Sequence, residues 1–327
     1  MSAISYHDTV NDLQGLGLSG KGPFARPEWF ALLEESGKRP LLATIQAGNA
    51  VLTMPLVETP ERLEVLTNWY AFTWADLTKG NVDAALYGEL ARDLAARTHR
   101  VELTKLPDED GTATRLESAF RRAGWIVFRE ACDTNHVLKV NGRSYAEYLA
   151  GRPGRLRTTL KRKAKKVEVV LKRTFDEADW AAYEDIYAQS WKPEEGDPAL
   201  LRKFAQGESE AGRYLFGMAL AEGTPVAAQF WTVDNGTAYI HKLAHLESAK
   251  PISPGTTLTA ALFEEVIDRD HVEWVDFGTG NDPYKADWME LVRPRFRLTC
   301  LRPTDPRNWA LLGKMVLRNL VSRPSAG

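Results

Sequence analysis

Two histidines, His241 and His245, stand four residues apart in Thr237–His245, a stretch that reads as a strand. With a side-chain period of two they share a face, about 13 Å apart at about 3.3 Å per residue. One imidazole at most then reaches a given substrate atom. An unperturbed histidine titrates at about 6.5, which suits a general base at neutral pH. Two satisfied structural histidines are the competing reading. Further on, Ser253-Pro254-Gly255-Thr256-Thr257 opens a helical pattern. Such a loop exposes unpaired N–H groups and the positive end of the helix dipole, which is an anion site. Gly255 lets the backbone approach a phosphate, and Thr256 and Thr257 add hydroxyl donors. No lysine follows the glycine, so this is not a Walker loop, and the three-glycine dinucleotide spacing is absent. Asp276 lies mid-strand among apolar residues and needs a partner, for which Lys285 and Lys242 are candidates. Asp282 is a loop cap or a ligand. No serine or cysteine elbow is set up for covalent catalysis. Cys132 and Cys300 have no neighbour at metal-ligand spacing, so neither a metal nor a disulfide framework is expected.

The elements that must position these groups follow from pattern. Pro27 to Ser36 reads as a short helix, and Leu41–Ile45 with Val51–Leu56 as a hairpin. Val82 to Arg97 and Thr112–Ala123 carry helical periodicity, with a strand at Val101–Leu106 between them. Trp125–Phe128 and His136–Val140 read as two strands. A basic helix follows, with eight cations between Arg152 and Lys166. Val167–Phe175 is a strand, and Asp176 caps a helix from Glu177 to about Gln189. After a helix near Ala199–Gln206 come strands at Tyr214–Ala221, Val226–Val233 and Thr237–His245, the last two joined by an Asn-Gly turn. A helix from Thr256, a strand at Val272–Phe277, a short helix at Tyr284–Leu291 and a strand at Phe296–Leu301 complete this part. Asp305 to Ser322 reads as an amphipathic tail helix, with Trp309, Leu312, Met315, Val316 and Leu320 on one side.

Composition bounds the class. An apolar fraction of 44% with 26% charged residues excludes disorder and fibres, and 327 residues suit two domains. A net charge of -2 means that any polyanion site is local. Met1 to Asn11 lacks the blocks of a signal peptide, and no apolar run approaches the roughly 20 residues of a membrane span. A cytoplasmic protein is expected, with room for peripheral contact with the inner membrane.

The stretch Thr237 to Asp287 resembles the C-terminal half of bacterial GNAT-fold acyltransferases of the CelD/BcsL type. The resemblance rests on Tyr239-Ile240-His241-Lys242-Leu243-Ala244-His245, Ser253-Pro254-Gly255-Thr256, Asp276-Phe277-Gly278-Thr279-Gly280-Asn281-Asp282, and Tyr284-Lys285 with Trp288. A weaker likeness runs from about Phe24 through Pro303. It implies an α+β fold of two tandem GNAT-like halves, each a mixed β-sheet flanked by helices. It implies an N-terminal half over 1–143, a basic connection over 144–172, a C-terminal half with the acyl-CoA site over 173–304, and the tail over 305–327. It further implies that Thr237–His245 holds an acyl-CoA thioester, with Val272–Phe277 splayed away to admit pantetheine. The loop ending at Gly255 then takes the pyrophosphate, although the usual Arg/Gln-x-x-Gly-x-Gly/Ala run is reduced here to Ser253-Pro254-Gly255.

On that resemblance an amine attacks the thioester directly, without a covalent enzyme intermediate. Backbone N–H groups near Leu243, Ala244 and His245 serve the oxyanion. His241, further from the pyrophosphate loop, is the preferred base, and His245 contacts pantetheine or phosphate. Tyr284 either protonates the leaving thiolate or is a half-buried aromatic with a hydrogen-bonded hydroxyl. Trp191, Lys192, Gln229 and Trp231 are candidates to line the acceptor pocket, core packing being the favoured reading for the two tryptophans, with Lys242, Asp282 and Lys285 as further substrate contacts. The basic run is a solvated face or the seat of a phosphate-rich partner: CoA, anionic lipid or tRNA. The tail helix docks on the protein or lies on an anionic membrane. The expected acceptor is a small-molecule or lipid amine, such as an exopolysaccharide precursor or a sphingoid base. The rivals are a FemAB-like aminoacyl-tRNA-dependent transferase and a non-catalytic protein that kept the fold.

Overall fold

The computed structural model describes residues 2–321, with side chains described to residue 318. In chain order the first elements are β1 (Ala3–His7), α1 (Pro27–Glu35), β2 (Pro40–Ala47), β3 (Ala50–Glu58), β4 (Leu63–Val65) and β5 (Leu77–Lys79). There follow α2 (Ala84–Arg97), β6 (Arg100–Leu106), α3 (Thr112–Arg122), β7 (Ile126–Lys139), α4 (Tyr145–Ala150), α5 (Gly154–Lys163) and β8 (Glu168–Lys172). Next come α6 (Glu177–Ala188), α7 (Pro198–Glu210), β9 (Tyr214–Ala221), β10 (Thr224–Asp234) and β11 (Thr237–His245). The chain closes with α8 (Pro254–Glu264), β12 (Trp274–Thr279), α9 (Lys285–Trp288), β13 (Leu291–Leu301) and α10 (Trp309–Val321).

Two compact units form. One holds the residues up to Asp133 together with those from Pro294 onward; the other is Thr134–Arg293. In the first, the strand order is β1-β2-β3-β4-β6-β13, with β5 paired to β3. In the second it is β8-β9-β10-β11-β12-β7. Both sheets share one plan: four antiparallel strands, a parallel fourth and fifth (β4 with β6, β11 with β12), and an antiparallel sixth. This is the mixed α+β repeat expected, but with different bounds. The strand at Phe296–Leu301, assigned by sequence to the C-terminal half, pairs with β6 of the first unit, Leu298 opposite Leu103. The expected pair of strands around residue 130 is one long β7.

Local chemistry explains most element ends. Asp176 accepts the N–H groups of Ala178 and Asp179 at the start of α6, and Ser144 and Glu147 form a capping box on α4. Asn235 and Gly236 both take positive φ, the requirement of the two-residue turn that joins β10 to β11. The second sheet is covered on both faces. On one, Trp180 and Tyr183 of α6 and Phe204 of α7 pack near Phe230. On the other, α5 and α8 bury Leu156, Leu160, Leu258, Leu262 and Phe263 against Trp231 and Ile240. Gly217 of β9 permits this close approach, since a Cβ there would lie 2.8 Å from Leu258.

In the first unit, Leu311, Leu312 and Met315 dock α10 on Phe128 and Leu301. Docking on the protein, one of the two expectations for the tail, is therefore met on this side. Trp309 and Val316, placed by sequence on the same side, are exposed instead, because the buried arc lies between them and the cations. Leu320 and Ser322 lie outside the described side chains.

Candidate functional site

The second unit concentrates the sequence-predicted residues around one irregularity in its sheet. β11 and β12 pair in parallel only at Thr237–Trp274, Ala238–Val275 and Tyr239–Asp276. Beyond that register β11 continues to His245 and β12 to Thr279 without pairing to each other. The strands part as expected, and the edge of β11 from Ile240 to His245 is left open toward β12.

A β-bulge sits where they part. Phe230 of β10 faces Lys242, whereas the next residue, Trp231, faces Ile240, so His241 is the extra residue of β11. This overturns the expectation that the two histidines share a face. Residues directly opposite in an antiparallel pair share a face. His245 opposes Ala227, two and four residues from Gln229 and Trp231 on the α8 side. His241 packs with Phe230 and Phe204, ring centroids 5.1 Å from each, on the α6–α7 side. The bulge consumes one residue and inverts the alternation between them. His241 Nε2 lies 2.8 Å from Thr232 Oγ1, a partner with no sequence signal.

His245 meets Gly255 and Trp191. A Cβ on Gly255 would come 3.2 Å from the His245 ring, and the Trp191 ring centroid is 4.3 Å away. His245 Nδ1 is 3.1 Å from the carbonyl oxygen of Leu246. Ser253 takes a positive φ of 53° at the start of α8 and accepts a hydrogen bond of 3.0 Å from Lys163 Nζ of α5. Pro254 occupies the first helical turn, where its missing N–H is not needed. Thr257 Oγ1 returns to the Ser253 carbonyl at 3.4 Å. Thr256 borders a cavity of about 420 Å³ with Arg155, Thr159 and Tyr284. Leu243 packs on the apolar core and Ala244 is buried, so only their backbone is available to a ligand.

Gln229 and Trp231 do not line a pocket. Trp231 is fully buried, and its indole N–H donates to Gln229 Oε1 at 3.0 Å. Gln229 Nε2 donates to Thr259 Oγ1 at 2.6 Å and to the Gly255 carbonyl at 3.3 Å. The pair braces the first turns of α8, which is a buried polar network rather than an acceptor surface.

The larger cavity, about 730 Å³, opens between α6 and α7. Tyr183, Tyr187 and Leu201 form its apolar walls, and Glu184, Glu194, Glu195 and Lys192 bring charge. Lys242 reaches Glu195 Oε1 at 2.7 Å, with both side chains nearly buried. Burial lowers the Lys242 ammonium to about 8, with Lys192 pushing the same way and Glu195 opposing. Burial also lowers Lys192, against Asp282 and Glu195. Glu195 went unnoticed in the sequence because nothing in Glu194-Glu195 marks which carboxylate turns inward.

Asp276 has partners that carried no sequence signal. It accepts from Asn135 Nδ2 at 3.1 Å and from the Gly278 N–H at 2.8 Å. Asn135 is 141 residues away, beyond any local signal. Lys285 is buried and donates to the Thr279 carbonyl at 2.5 Å. Among the described residues the Asp282 carboxylate accepts no backbone N–H of α9; its backbone carbonyl takes the Lys285 N–H at 3.0 Å. Tyr284 stands with its ring centroid 6.0 Å from Lys192 Nζ, and burial, with Asp282 adding to it, raises its phenol well above the ordinary value. Among the described residues no group of three or more His, Cys, Asp or Glu is placed to hold a metal ion.

Comparison with known proteins places this geometry. Residues 154–286 match the family model described as Acetyltransferase (GNAT) domain. No curated protein matches the chain. The fold is similar to FemX, with a TM-score of 0.63 at 9% identity, covering 90% of this chain and 96% of that one. It is similar to the C-terminal domain (DUF2156) of a candidate lysylphosphatidylglycerol synthetase from Agrobacterium fabrum, TM-score 0.60, 13% identity, covering 94% and 95%. A tandem GNAT protein from the clavulanic acid biosynthesis pathway is also similar, TM-score 0.51, 14% identity, covering 93% and 100%. At such identities these likenesses speak for the fold. Residues 154–286 therefore match an acetyltransferase (GNAT) domain, the domain of a transferase, within a mixed α+β fold similar to that of a tandem GNAT protein.

Proposed function

We propose that the second unit moves an acyl group from a CoA thioester to an amine in the gap between β11 and β12. The observation that carries this reading is the parting of the two strands beside the N-terminus of α8. A pantetheine arm extended along the open edge of β11 meets unpaired backbone groups, and N–H groups near Leu243 to His245 suit the oxyanion. The first turn of α8, with Thr256, Thr257 and Lys163, suits the pyrophosphate. The amine nitrogen bonds to the thioester carbon, the C–S bond breaks, and the amine proton passes to His241. Thr232 holds that imidazole on the α6–α7 face of the sheet. Tyr284, protonated throughout the neutral range, returns a proton to the thiolate.

The apolar walls and carboxylates of the larger cavity suit a protonated amine on an apolar body, a small molecule or a lipid such as a sphingoid base. An envelope or exopolysaccharide acceptor, as in the CelD/BcsL type, fits the same chemistry, and the work belongs at the cytoplasmic side of the inner membrane. A second reading has one observation in its favour. Arg157, Lys161, Arg162, Lys165 and Lys166 are exposed together along and just after α5, which suits the phosphates of an aminoacyl-tRNA donor.

Thermal melting with acetyl-CoA, a long-chain acyl-CoA and free CoA separates these. A ligand at about 100 times its Kd stabilises by about 2.7 kcal/mol, enough to move the transition. A shift supports the CoA site, and its chain-length dependence reports the acyl group. No shift with any of the three overturns the CoA reading, and RNase-sensitive, salt-sensitive transfer would then identify the tRNA-dependent one. His241→Ala is expected to lower turnover far more than CoA affinity; unchanged turnover removes His241 as the base.

A further inference from the structure

The first unit holds a charged cavity of about 250 Å³ that plays no part in the proposed reaction. Five cations line it: Arg62 from the turn before β4, Arg100 of β6, Arg297 of β13, and Lys314 and Arg318 of α10. Two carboxylates line it with them, and Arg62 also pairs outside it with Glu64 and, at 3.4 Å, with Glu61. Glu102 is shared by Arg100 at 2.7 Å and by Arg62 and Arg297, each at 3.6 Å. Glu130 is shared by Arg297 at 3.5 Å and by Arg318. Lys314 has no ion-pair partner among the described residues. The Nε atoms of Arg62, Arg100 and Arg297 are buried without a hydrogen bond, those of Arg62 and Arg297 resting 3.6 Å from Glu102. Three clustered guanidiniums with unmet donors and an excess of positive charge are the complement of a phosphate group.

The same helix that supplies two of the cations presents an unpartnered apolar arc. Trp309, Val316 and Leu317 are 60%, 47% and 64% exposed, and at a helical 100° per residue they fall within one side of α10. The opposite side, Leu311, Leu312 and Met315, is the one docked on Phe128 and Leu301. Lys314 and Arg318 fall between the docked side and the open arc, next to the cavity. An apolar strip flanked by cations over an arginine-lined cavity is the arrangement of an in-plane membrane helix. We infer that α10 lies on an anionic bilayer, with Trp309, Val316 and Leu317 entering the interface and a lipid phosphate seated in the arginine cavity. This inference is independent of the acyl-transfer reading.

Sedimentation of the full chain with vesicles tests it. Vesicles of phosphatidylcholine mixed in equal parts with phosphatidylglycerol are expected to bind the protein, vesicles of phosphatidylcholine alone are not, and added salt releases it. Lys314→Gln with Arg318→Gln is expected to lower the partition coefficient roughly thirty-fold, as the loss of two membrane-facing cations requires. Trp309→Ser is expected to weaken binding with only a small fall in melting temperature, because the ring is 60% exposed and gives up one hydrogen bond, from its indole N–H to the Pro303 carbonyl. Lys161→Glu with Lys165→Glu, on the basic stretch of the second unit, leaves binding intact. Failure of the native chain to bind anionic vesicles overturns the inference. So does equal binding to both vesicle types, or loss only with the second-unit variant. A rise in melting temperature with inorganic phosphate but no vesicle binding gives the cavity to a free anion and overturns the membrane assignment.

Discussion

The Lys242–Glu195 pair makes a prediction whose size follows from its burial. Lys242 is held at about 8 against an ordinary value of about 10.5. Its folded value is depressed, so the unfolded chain binds the proton more tightly between those two values, and stability rises with pH there. Below about pH 8 the buried ammonium costs on the order of 3 kcal/mol; above about pH 10.5 that cost is gone. Lys242→Met removes the titration. Between about pH 7.5 and pH 9.5 the native chain should therefore gain about 2 kcal/mol relative to the variant. Equilibrium urea unfolding of both chains at a series of pH values reads the difference directly. Parallel curves across the window would refute the argument, since they would mean that Lys242 is as well solvated as in the unfolded chain. Adding Glu195→Leu to Lys242→Met should recover stability lost at neutral pH, because a buried pair replaced by apolar groups is often neutral or stabilising, whereas a broken one leaves an uncompensated charge.

The remaining expectations are more local. Gly255→Val brings side-chain atoms onto the His245 ring, where even a Cβ would be 3.2 Å away, and should displace the first turn of α8. The CoA-induced melting shift should then shrink at least several-fold, with little change in the melting of the free protein. Tyr284→Phe removes the hydroxyl without changing the ring; turnover with a thioester donor should fall while CoA affinity, read by melting, stays the same. Asp83 accepts the N–H groups of Ala85 and Leu86 at the start of α2, and Asp83→Ala should cost about 1 kcal/mol in urea unfolding.

The sequence determined what acts over a few residues. Asn235-Gly236 fixes a turn because both residues tolerate positive φ. Asp176 caps α6 because its carboxylate reaches the next two N–H groups, and Gly255 starts a helix at the place where backbone must come close to a ring. The order of elements around the gap was legible for the same reason. Tertiary structure decided what depends on pairing across the chain. The parting of β11 from β12 after three paired residues is a matter of pairing across the chain, which neither strand shows alone. One extra residue at His241, invisible in a period-two pattern, carried that histidine to the face opposite His245. Gln229 and Trp231 became braces for α8 rather than pocket walls, since only the folded sheet shows which face α8 covers. Asp276 found Asn135, Lys242 found Glu195, and β13 joined β6. Each of these partnerships joins residues separated by tens to hundreds of positions, and burial, not local propensity, is what makes a charged or polar group choose.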